Sequence, residues 1–292
     1  MIYMSLNSQK YIVIIGGSFP DVGKGILASS LGLLLKRQKP IMIKFDGYLN
    51  ESVGTMYPYH AKPSKILPNE ELFVTDDGFE GDTDLGNYER FLNENLLKAN
   101  NITGGGLIRE IFQEESLGKI APGQVIQILP HLSQKFIARL RAFEGKLFII
   151  EIGGTVGDLE QIYALDALRR LKNMGSEVLF VLLDEIPIVY GDYKLKLMRR
   201  SYERLITLGI QPDLLVCRST KESKIDFREA LSNFCNVRKE DIFRDFDLDS
   251  IYELPFVLQK QRMDVRICEK LSMKYKKSNL AKWRTFVCKK KG

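Results

Sequence analysis

One segment constrains the fold more than any other: the apolar, largely β-branched run Lys10–Ile15 leads directly into a glycine-rich turn, Gly16–Gly25. A short run that is apolar throughout is typical of a buried strand. Leucines at helical spacing follow the turn over Gly25–Arg37 and predict a helix with one buried face. A buried strand, a glycine-rich turn and a helix in this order predict an α/β fold.

The same alternation recurs along the chain. Further strands are predicted at Ile41–Phe45, Glu144–Glu151, Glu177–Leu183 and Leu214–Arg218, and helices at Leu159–Met174 and Tyr193–Leu208. Apolar strands that alternate with helices form parallel sheets, whose ligands bind beyond the carboxyl ends of the strands. We therefore predict one domain with a parallel sheet flanked by helices. Asp46–Gly106 shows little periodicity and is predicted to be a long functional loop.

Composition excludes several classes of protein. At 45% hydrophobic and 27% charged residues the chain is an ordinary globular one, and no apolar run approaches the ~20 residues of a membrane span. Four cysteines without a CxxC pair, and without a signal peptide, indicate free thiols in a reducing cytoplasm. We expect a cytoplasmic protein that binds no membrane.

The formal net charge of +6 arises at the end of the chain, because residues 274–292 contain eight basic residues and no acidic one. Such a basic tail is usually a solvated end, and the alternative is a surface for an anionic partner. No RNA-recognition motif, zinc finger or helix-turn-helix spacing is present. We expect no nucleic-acid binding.

The turn Gly16–Gly25 has the properties of a phosphate-binding loop. Its backbone amides and the following helix N-terminus favour an anion, and Lys24 supplies a cation. The loop departs from a standard Walker A sequence, because five residues separate Gly17 from Gly23 and Gly25 replaces the Ser/Thr that would hold Mg²⁺. The alternative interpretation is an ordinary strand-to-helix turn.

If Mg²⁺ binds at this loop, carboxylates must hold it. The segment Asp76–Asp84 contains five acidic residues in nine, and Glu151 ends a predicted strand beside the turn Gly153–Gly154. From the residues alone, the chain is predicted to be an enzyme that uses ATP and Mg²⁺ for phosphoryl or nucleotidyl chemistry.

Several motifs together match one family. They are GGSFPDVGKG, IMIKFDGYLN, VGTMYPYH, LFVTDDGFEGDTDLGNYERFL, NNITGG, VIQILPH, EIGGTVGDLE, LGIQPDLLVCRS, FCNV, DLDSIYELP and NLAKW. With these motifs in order from Lys10 to Trp283, the chain resembles the N-terminal synthetase (amidoligase) domain of CTP synthase. The resemblance implies a P-loop NTPase-like fold with the deviant phosphate loop of the dethiobiotin synthetase and CTP synthase group. It also implies that ATP phosphorylates O4 of UTP and that ammonia displaces this phosphate to give CTP.

The resemblance implies roles for particular residues. The catalytic residues would be Lys24, Lys44 and His60, the last near the ammonia entrance. ATP would contact Asp21, Val22, Gly23, Lys24, Gly25, Ile26, Arg218, Asp247 and Leu248. UTP or CTP would contact Ser18, Gln127, Asp158, Leu159, Glu160, Lys194, Lys196 and Arg199. Mg²⁺, the expected cofactor with ATP as substrate, would bind Asp84 and Glu151.

The chain also departs from the family pattern. We expect a single amidoligase domain over residues 1–292, because no cysteine has the context of the family's glutaminase triad. Ammonia would then come from solution or from a separate glutaminase, unless the chain is a piece of a longer one. Near the expected UTP site the family pattern is altered at Pro20, Asp21, Tyr57 and Ala230, and Ala61–Glu71 is an insertion.

These departures leave two alternatives open. The first is an amidoligase that acts on a different nucleotide or metabolite, and the second is a non-catalytic regulatory homologue that binds nucleotides. The family assembles as tetramers with nucleotide sites between subunits, so the resemblance implies a homodimer or homotetramer.

Overall fold

A seven-stranded parallel sheet forms the centre of the structure, a computed structural model that describes residues 9–52, 73–221 and 226–289. The strands are β1 (Lys10–Gly16), β2 (Ile41–Asp46), β3 (Phe73–Val74), β4 (Glu80–Gly81), β5 (Asn101–Thr103), β6 (Leu147–Ile152), β7 (Glu177–Glu185), β8 (Ile188–Val189), β9 (Asp192–Tyr193), β10 (Leu214–Ser219) and β11 (Ile242–Phe246). The sheet order is β11-β10-β7-β1-β6-β2-β5, and every pair is parallel. The short pairs β3–β4 and β8–β9 are antiparallel.

Helices cover both faces of this sheet. They are α1 (Lys24–Leu34), α2 (Thr83–Leu92), α3 (Gly104–Ser116), α4 (Ser133–Arg141), α5 (Ile162–Asn173), α6 (Lys196–Thr207), α7 (Arg228–Cys235), α8 (Leu254–Lys260), α9 (Met263–Lys270) and α10 (Ala281–Lys289). None of the helices in the described part of the chain combines the length and apolar character needed to cross a bilayer. The prediction of a parallel sheet flanked by helices is confirmed.

The alternation of side chains along β1 creates two separate cores. Val13 and Ile15 face a first core with α3 to α7, whereas Ile12 and Ile14 face a second core with α1, α2 and α8 to α10. Both faces of β1 are fully buried, and this explains why its sequence is continuously apolar instead of alternating. Cys217 lies in the first core on β10, and all four cysteines are unpaired, as the sequence predicts.

The prediction of an aperiodic loop over Asp46–Gly106 is wrong in its second half, which contains α2 and β5. In α2, Leu85, Tyr88 and Phe91 are buried at helical spacing. The Asp82 side chain caps the helix by accepting a hydrogen bond from the Asp84 amide. Gly86 and Asn87, which are weak helix formers, lie between the apolar positions and concealed this short helix.

The basic C-terminal segment is also more ordered than a solvated end. Ser278 donates a hydrogen bond to the Leu34 carbonyl (2.7 Å), and Leu280 and Val287 are buried in the second core. The Trp283 ring lies 4.8 Å from that of Phe91, and its indole N–H donates to the Tyr252 carbonyl (2.9 Å). The prediction of a solvated end is therefore wrong for the apolar side of this segment.

Replacing Trp283 by alanine tests whether this segment is part of the folded unit. Because the change removes an aromatic cluster and a hydrogen bond, we expect the free energy of unfolding to fall by about 2–3 kcal/mol, measured by urea denaturation. The control is Phe112→Ala, which removes a ring that is 58% exposed on α3 and should change stability little. Equal stability of the two variants would contradict docking of α10.

Candidate active site

Lys44, Glu151 and the phosphate loop, all singled out from the sequence, lie together at the carboxyl edge of the sheet. In the parallel register of β2 and β6, Lys44 lies opposite Glu151, so the two side chains emerge side by side. The phosphate loop continues from β1, the strand on the other side of β6. The prediction that the ends of strands would carry the site residues therefore has a direct geometric basis.

The loop between β1 and α1 wraps around the Lys24 side chain. Lys24 is buried, its ammonium donates to the Pro20 carbonyl (2.7 Å), and its side chain passes directly over Gly16. A Cβ on Gly16 would come within 2.8 Å of Lys24 Cδ, so a larger residue there would move the Lys24 side chain from this position. Gly23 has a φ of 100°, a conformation that glycine adopts without strain. Burial, with help from the Lys44 charge, lowers the pKa of Lys24.

Lys44 is the centre of an acidic cluster. Its Nζ lies 2.5 Å from Asp84 Oδ2 and 3.0 Å from Glu151 Oε1. Asp82 and Asp46 are farther away, at 3.5 and 3.9 Å. Burial acts to lower the pKa of Lys44, but the surrounding carboxylates outweigh it and hold the pKa well above its usual range. Lys44 is therefore a permanently charged ammonium at the edge of the sheet.

The two carboxylates that contact Lys44 most closely differ in their environment. Glu151 is 1% exposed and accepts a hydrogen bond from the hydroxyl of Tyr88, and burial together with the Asp84 charge raises its pKa to about 8. The Asp84 side chain is 22% exposed. Burial acts to raise the Asp84 pKa, but the Lys44 ammonium outweighs this and lowers it. Asp84 is thus the ionised, accessible member of the pair.

At Gly25, a carboxylate lies where the hydroxyl side chain of a standard P-loop would be. A Cβ at Gly25 would lie only 1.9 Å from Asp84 Oδ1, so the Asp84 carboxylate fills the space where the usual Ser/Thr side chain would stand. Mg²⁺ commonly binds one or two protein carboxylates together with substrate phosphates and water. Asp84 and Glu151 fit that donor set, although no three His, Cys, Asp or Glu side chains of the described residues form a complete metal-binding group.

Four of the predicted ATP-binding residues meet in one cleft of about 310 Å³. Its lining is Phe19, Pro20, Asp21, Val22, Glu185, Arg218, Ser219, Thr220 and Asp247. Gly23 ends the adjoining loop, and Lys24 and Gly25 are the first residues of α1. Ile26 and Leu248 instead pack, partly buried, against the second core.

Arg218 closes this cleft between two carboxylates. Its guanidinium donates to Asp245 (3.2 Å) and to Asp247 (3.0 Å), and it lies over Gly23, where a Cβ would be 3.2 Å from it. Asp245 is 1% exposed, and burial raises its pKa to about 6 although Arg218 acts in the opposite direction. The ionisation of Asp245 therefore affects how firmly Arg218 is held.

The predicted pyrimidine-nucleotide residues are mostly exposed. Gln127, Glu160, Lys194 and Lys196 are all exposed, and the Leu159 side chain is 78% exposed. None of these five residues lines the cleft that holds Arg218. Their exposed side chains are therefore available to a ligand or a second chain.

The other three predicted pyrimidine-nucleotide residues already have partners. Asp158 accepts hydrogen bonds from the backbone N–H (2.6 Å) and the hydroxyl (3.0 Å) of Thr155. The Arg199 guanidinium lies 3.6 Å from the centre of the Phe234 ring. Ser18 donates both its N–H and its hydroxyl to Asp184. His60, Tyr57 and the insertion Ala61–Glu71 lie outside the described residues.

Sequence reasoning missed three residues that hold the site together. Tyr88 bonds Glu151, Asp184 bonds the phosphate loop, and Asp245 bonds Arg218. Asp184 and Asp245 lie near the carboxyl ends of β7 and β11, the position where ligands of a parallel sheet bind. β11 was not among the predicted strands, and Tyr88 lies in α2, which was not predicted either.

Two solved structures resemble the chain at low sequence identity. The signal recognition particle 54 kDa protein from Aeropyrum pernix K1 in complex with GDP is 12% identical with a TM-score of 0.39, and the alignment covers 99% of this chain and 52% of that one. A variant of Cyanothece McdA in complex with ATP is 13% identical with a TM-score of 0.42, and the alignment covers 92% of this chain and 99% of that one.

Sequence relatives are much closer. CTP synthase of Clostridium kluyveri is 39% identical in an alignment 292 positions long that covers 97% of this chain and 53% of the relative. CTP synthase of Methanocaldococcus jannaschii is 40% identical in an alignment 287 positions long that covers 96% of this chain and 52% of the relative. The chain thus spans about half the length of the curated relatives it matches. A family model described as CTP synthase N-terminus matches residues 10–273. This chain therefore belongs to the CTP synthase N-terminus family.

Proposed function

We propose that the chain is an ATP-dependent carbon–nitrogen ligase that converts UTP to CTP. The γ-phosphoryl group of ATP passes to O4 of UTP and leaves ADP, and ammonia then displaces this phosphate at C4. The observation that carries the proposal is the convergence of Lys24, Lys44, Asp84 and Glu151 on the phosphate loop. Phosphate is a good leaving group and a carbonyl oxygen a poor one, so phosphorylation prepares C4 for attack by nitrogen.

Catalysis of phosphoryl transfer is mainly positioning and charge stabilisation. Lys24 and Lys44 are buried cations beside the loop, where low polarity strengthens their attraction for a transferring phosphoryl group. Asp84 and Glu151 are the residues that would hold Mg²⁺, which supplies further neutralisation of phosphate charge when it is bound. Tyr88 orients Glu151 by its hydrogen bond.

The cleft beside Arg218 supports ATP as the phosphoryl donor. It opens next to the loop residues Asp21 and Val22, so a nucleotide base lying there would direct its phosphates towards Lys24. Arg218 offers a planar cation held by Asp245 and Asp247, which suits stacking on or bonding to a purine.

The exposed residues at the carboxyl edge support assembly as a homodimer or homotetramer. Lys194 and Lys196 are cations that suit a triphosphate, yet both are exposed, and a second subunit would enclose them. The ammonia would come from solution or from a glutaminase, since the relatives are about twice as long as the matched region.

A second candidate is a ligase of the same type with a different acceptor. The observation in its favour is that the polar groups of Ser18 and Asp158 are hydrogen-bonded within the chain and are not free to contact UTP. The non-catalytic homologue is less well supported, because a protein without turnover has no need of the buried Lys24 and Lys44 charges.

The proposal is tested by incubating the protein with ATP, Mg²⁺ and UTP and following CTP and ADP by chromatography. We expect CTP from ammonium chloride. Lys24→Ala should lower kcat by about 10²–10³-fold, because one fixed cation at the phosphoryl group is lost. The control Lys146→Ala changes an exposed lysine at the opposite edge of the sheet and should leave kcat unchanged.

The outcomes separate the candidates. CTP from ammonia but not from glutamine supports a synthetase that needs a glutaminase partner. If ADP formation depends on another nucleotide and not on UTP, that nucleotide is the acceptor in place of UTP. Three outcomes would contradict the proposed reaction. They are nucleotide binding without ADP formation, unchanged turnover in Lys24→Ala, and the absence of both nucleotide binding and ADP formation.

Gly25→Ser restores the hydroxyl of a standard P-loop, and we expect it to impair this one. Its Cβ would displace the Asp84 carboxylate, so the Mg²⁺ concentration needed for half-maximal activity should rise by about 10- to 100-fold. The control Gly78→Asn adds a side chain where nothing lies within 4 Å, at a positive φ that asparagine tolerates. Gly25→Ala adds the same Cβ without a hydroxyl that could replace the ligand, so a normal Mg²⁺ requirement in this variant would show that Asp84 is not the ligand.

ATP binding should weaken as the pH falls through about 6, because protonated Asp245 no longer forms an ion pair with Arg218. The sign is opposite for stability: the folded chain binds this proton more tightly than the unfolded chain, so the contribution of Asp245 to stability decreases from pH ~4 to ~6.

The measurement is the KM for ATP between pH 5.5 and 7.5. Because the ATP phosphates titrate in the same range, the pH profile of the unmodified protein is compared with that of Asp245→Asn. This variant should lose the part of the pH dependence that the protein contributes. Asp226→Asn, which breaks surface ion pairs with Arg228 and Arg244, is the matched control and should keep it. Identical pH profiles for Asp245→Asn and the unmodified protein would contradict the assignment.

A further inference from the structure

We propose that Asp184 is a positioning residue whose buried carboxylate joins the phosphate loop to helix α6. The loop belongs to the ATP side of the site, and α6 carries Lys196 and Arg199 of the acceptor side. Only the identity of the acceptor in this inference rests on the proposed function.

The carboxylate is completely buried and fully engaged. Oδ1 accepts hydrogen bonds from the backbone N–H groups of Ser18 (2.8 Å) and Glu185 (2.9 Å). Oδ2 accepts from the hydroxyls of Ser201 (2.6 Å) and Ser18 (3.1 Å), and these two hydroxyls lie 3.2 Å apart. Asp184 is 0% exposed, and the donors that reach it from the described residues are all neutral. A buried carboxylate of this kind is retained by its hydrogen bonds, so each bond constrains its donor.

The loop backbone also packs directly on Asp184. A Cβ on Gly17 would fall 2.1 Å from the Asp184 Cγ, so the backbone before Ser18 has no room to move towards β7. Gly17 itself donates its N–H to the Leu183 carbonyl (2.8 Å), one residue earlier on the same strand. The loop is therefore fixed to the end of β7 by backbone and side-chain contacts together.

The connection reaches the acceptor side through α6. Ser201 is 5% exposed and lies on the helix that begins at Lys196, so its bond to Asp184 sets the position of that helix relative to the loop. Since small displacements of reacting groups slow a reaction strongly, a residue that fixes both elements acts on turnover without touching either substrate.

Asp184→Asn is the direct test, because it preserves size but turns one acceptor oxygen into a donor that faces groups which are themselves donors. We expect the Kd for ATP, measured by calorimetry without acceptor, to rise roughly 10-fold. Amide hydrogen exchange in the peptide covering Gly16–Gly25 should become faster. If UTP is the acceptor, its KM should rise as well.

Asp213→Asn is the matched control. Asp213 also accepts a hydrogen bond from a backbone N–H of β7, that of Phe180 (2.8 Å), and it lies near Lys172 (3.6 Å). The control should lower stability while leaving ATP affinity and loop exchange unchanged. Ser18→Ala and Ser201→Ala separate the two connections: the first should weaken ATP binding, and the second should raise the KM of the acceptor with ATP affinity unchanged.

The inference is overturned if Asp184→Asn alters ATP affinity and loop exchange no more than Asp213→Asn does. If Asp184→Asn does not fold, the two serine variants give the same readouts and decide the question. An unmodified protein that makes no CTP would contradict the proposed function alone, because loop exchange, and ATP affinity where ATP binds, still test Asp184.

Discussion

All strands of a parallel sheet end at the same edge, and in this protein that edge carries the residues of the candidate site. Both faces of the sheet are covered by helices, so its central strands are apolar along most of their length, and their polar residues lie mainly near the strand ends. Lys44, Glu151 and Asp184 stand near the carboxyl ends of β2, β6 and β7. The arrangement of the candidate site follows from strand order and register before any side-chain contact is considered.

The charges gathered at this edge are costly to bury. Lys44 has more carboxylates around it than one ammonium can neutralise, and burial together with Asp84 raises the pKa of Glu151. Replacing such clusters by apolar side chains often stabilises a protein, so stability alone does not explain them. An excess of carboxylate beside two buried lysines is well suited to a polyphosphate that arrives with a divalent cation.

In the phosphate loop, a side chain from a distant part of the sequence occupies the position of a side chain that the loop itself lacks. Gly25 lacks the hydroxyl of a standard P-loop, and α2 brings the Asp84 carboxylate into the space that the missing side chain leaves. The glycine is therefore needed for a steric reason, because any Cβ there would collide with Asp84. Similarly, Gly17 admits the Asp184 carboxylate beside the loop. At both positions glycine is needed mainly because the side chain of a distant residue packs against it, and less because of turn geometry.

Local patterns in the sequence determined the alternation of strands and helices, the phosphate loop with Lys24, and the family motifs, because each depends on residues close together in the chain. Only the tertiary structure decided that Asp84 meets Gly25, that Asp184 bonds Ser18, and that the basic C-terminal segment docks by Trp283. Asp184 and Ser18 are separated by 166 positions, and no local periodicity signals such a pair. Their contact exists because β7 lies beside β1 in the sheet, and packing of the whole chain sets that strand order.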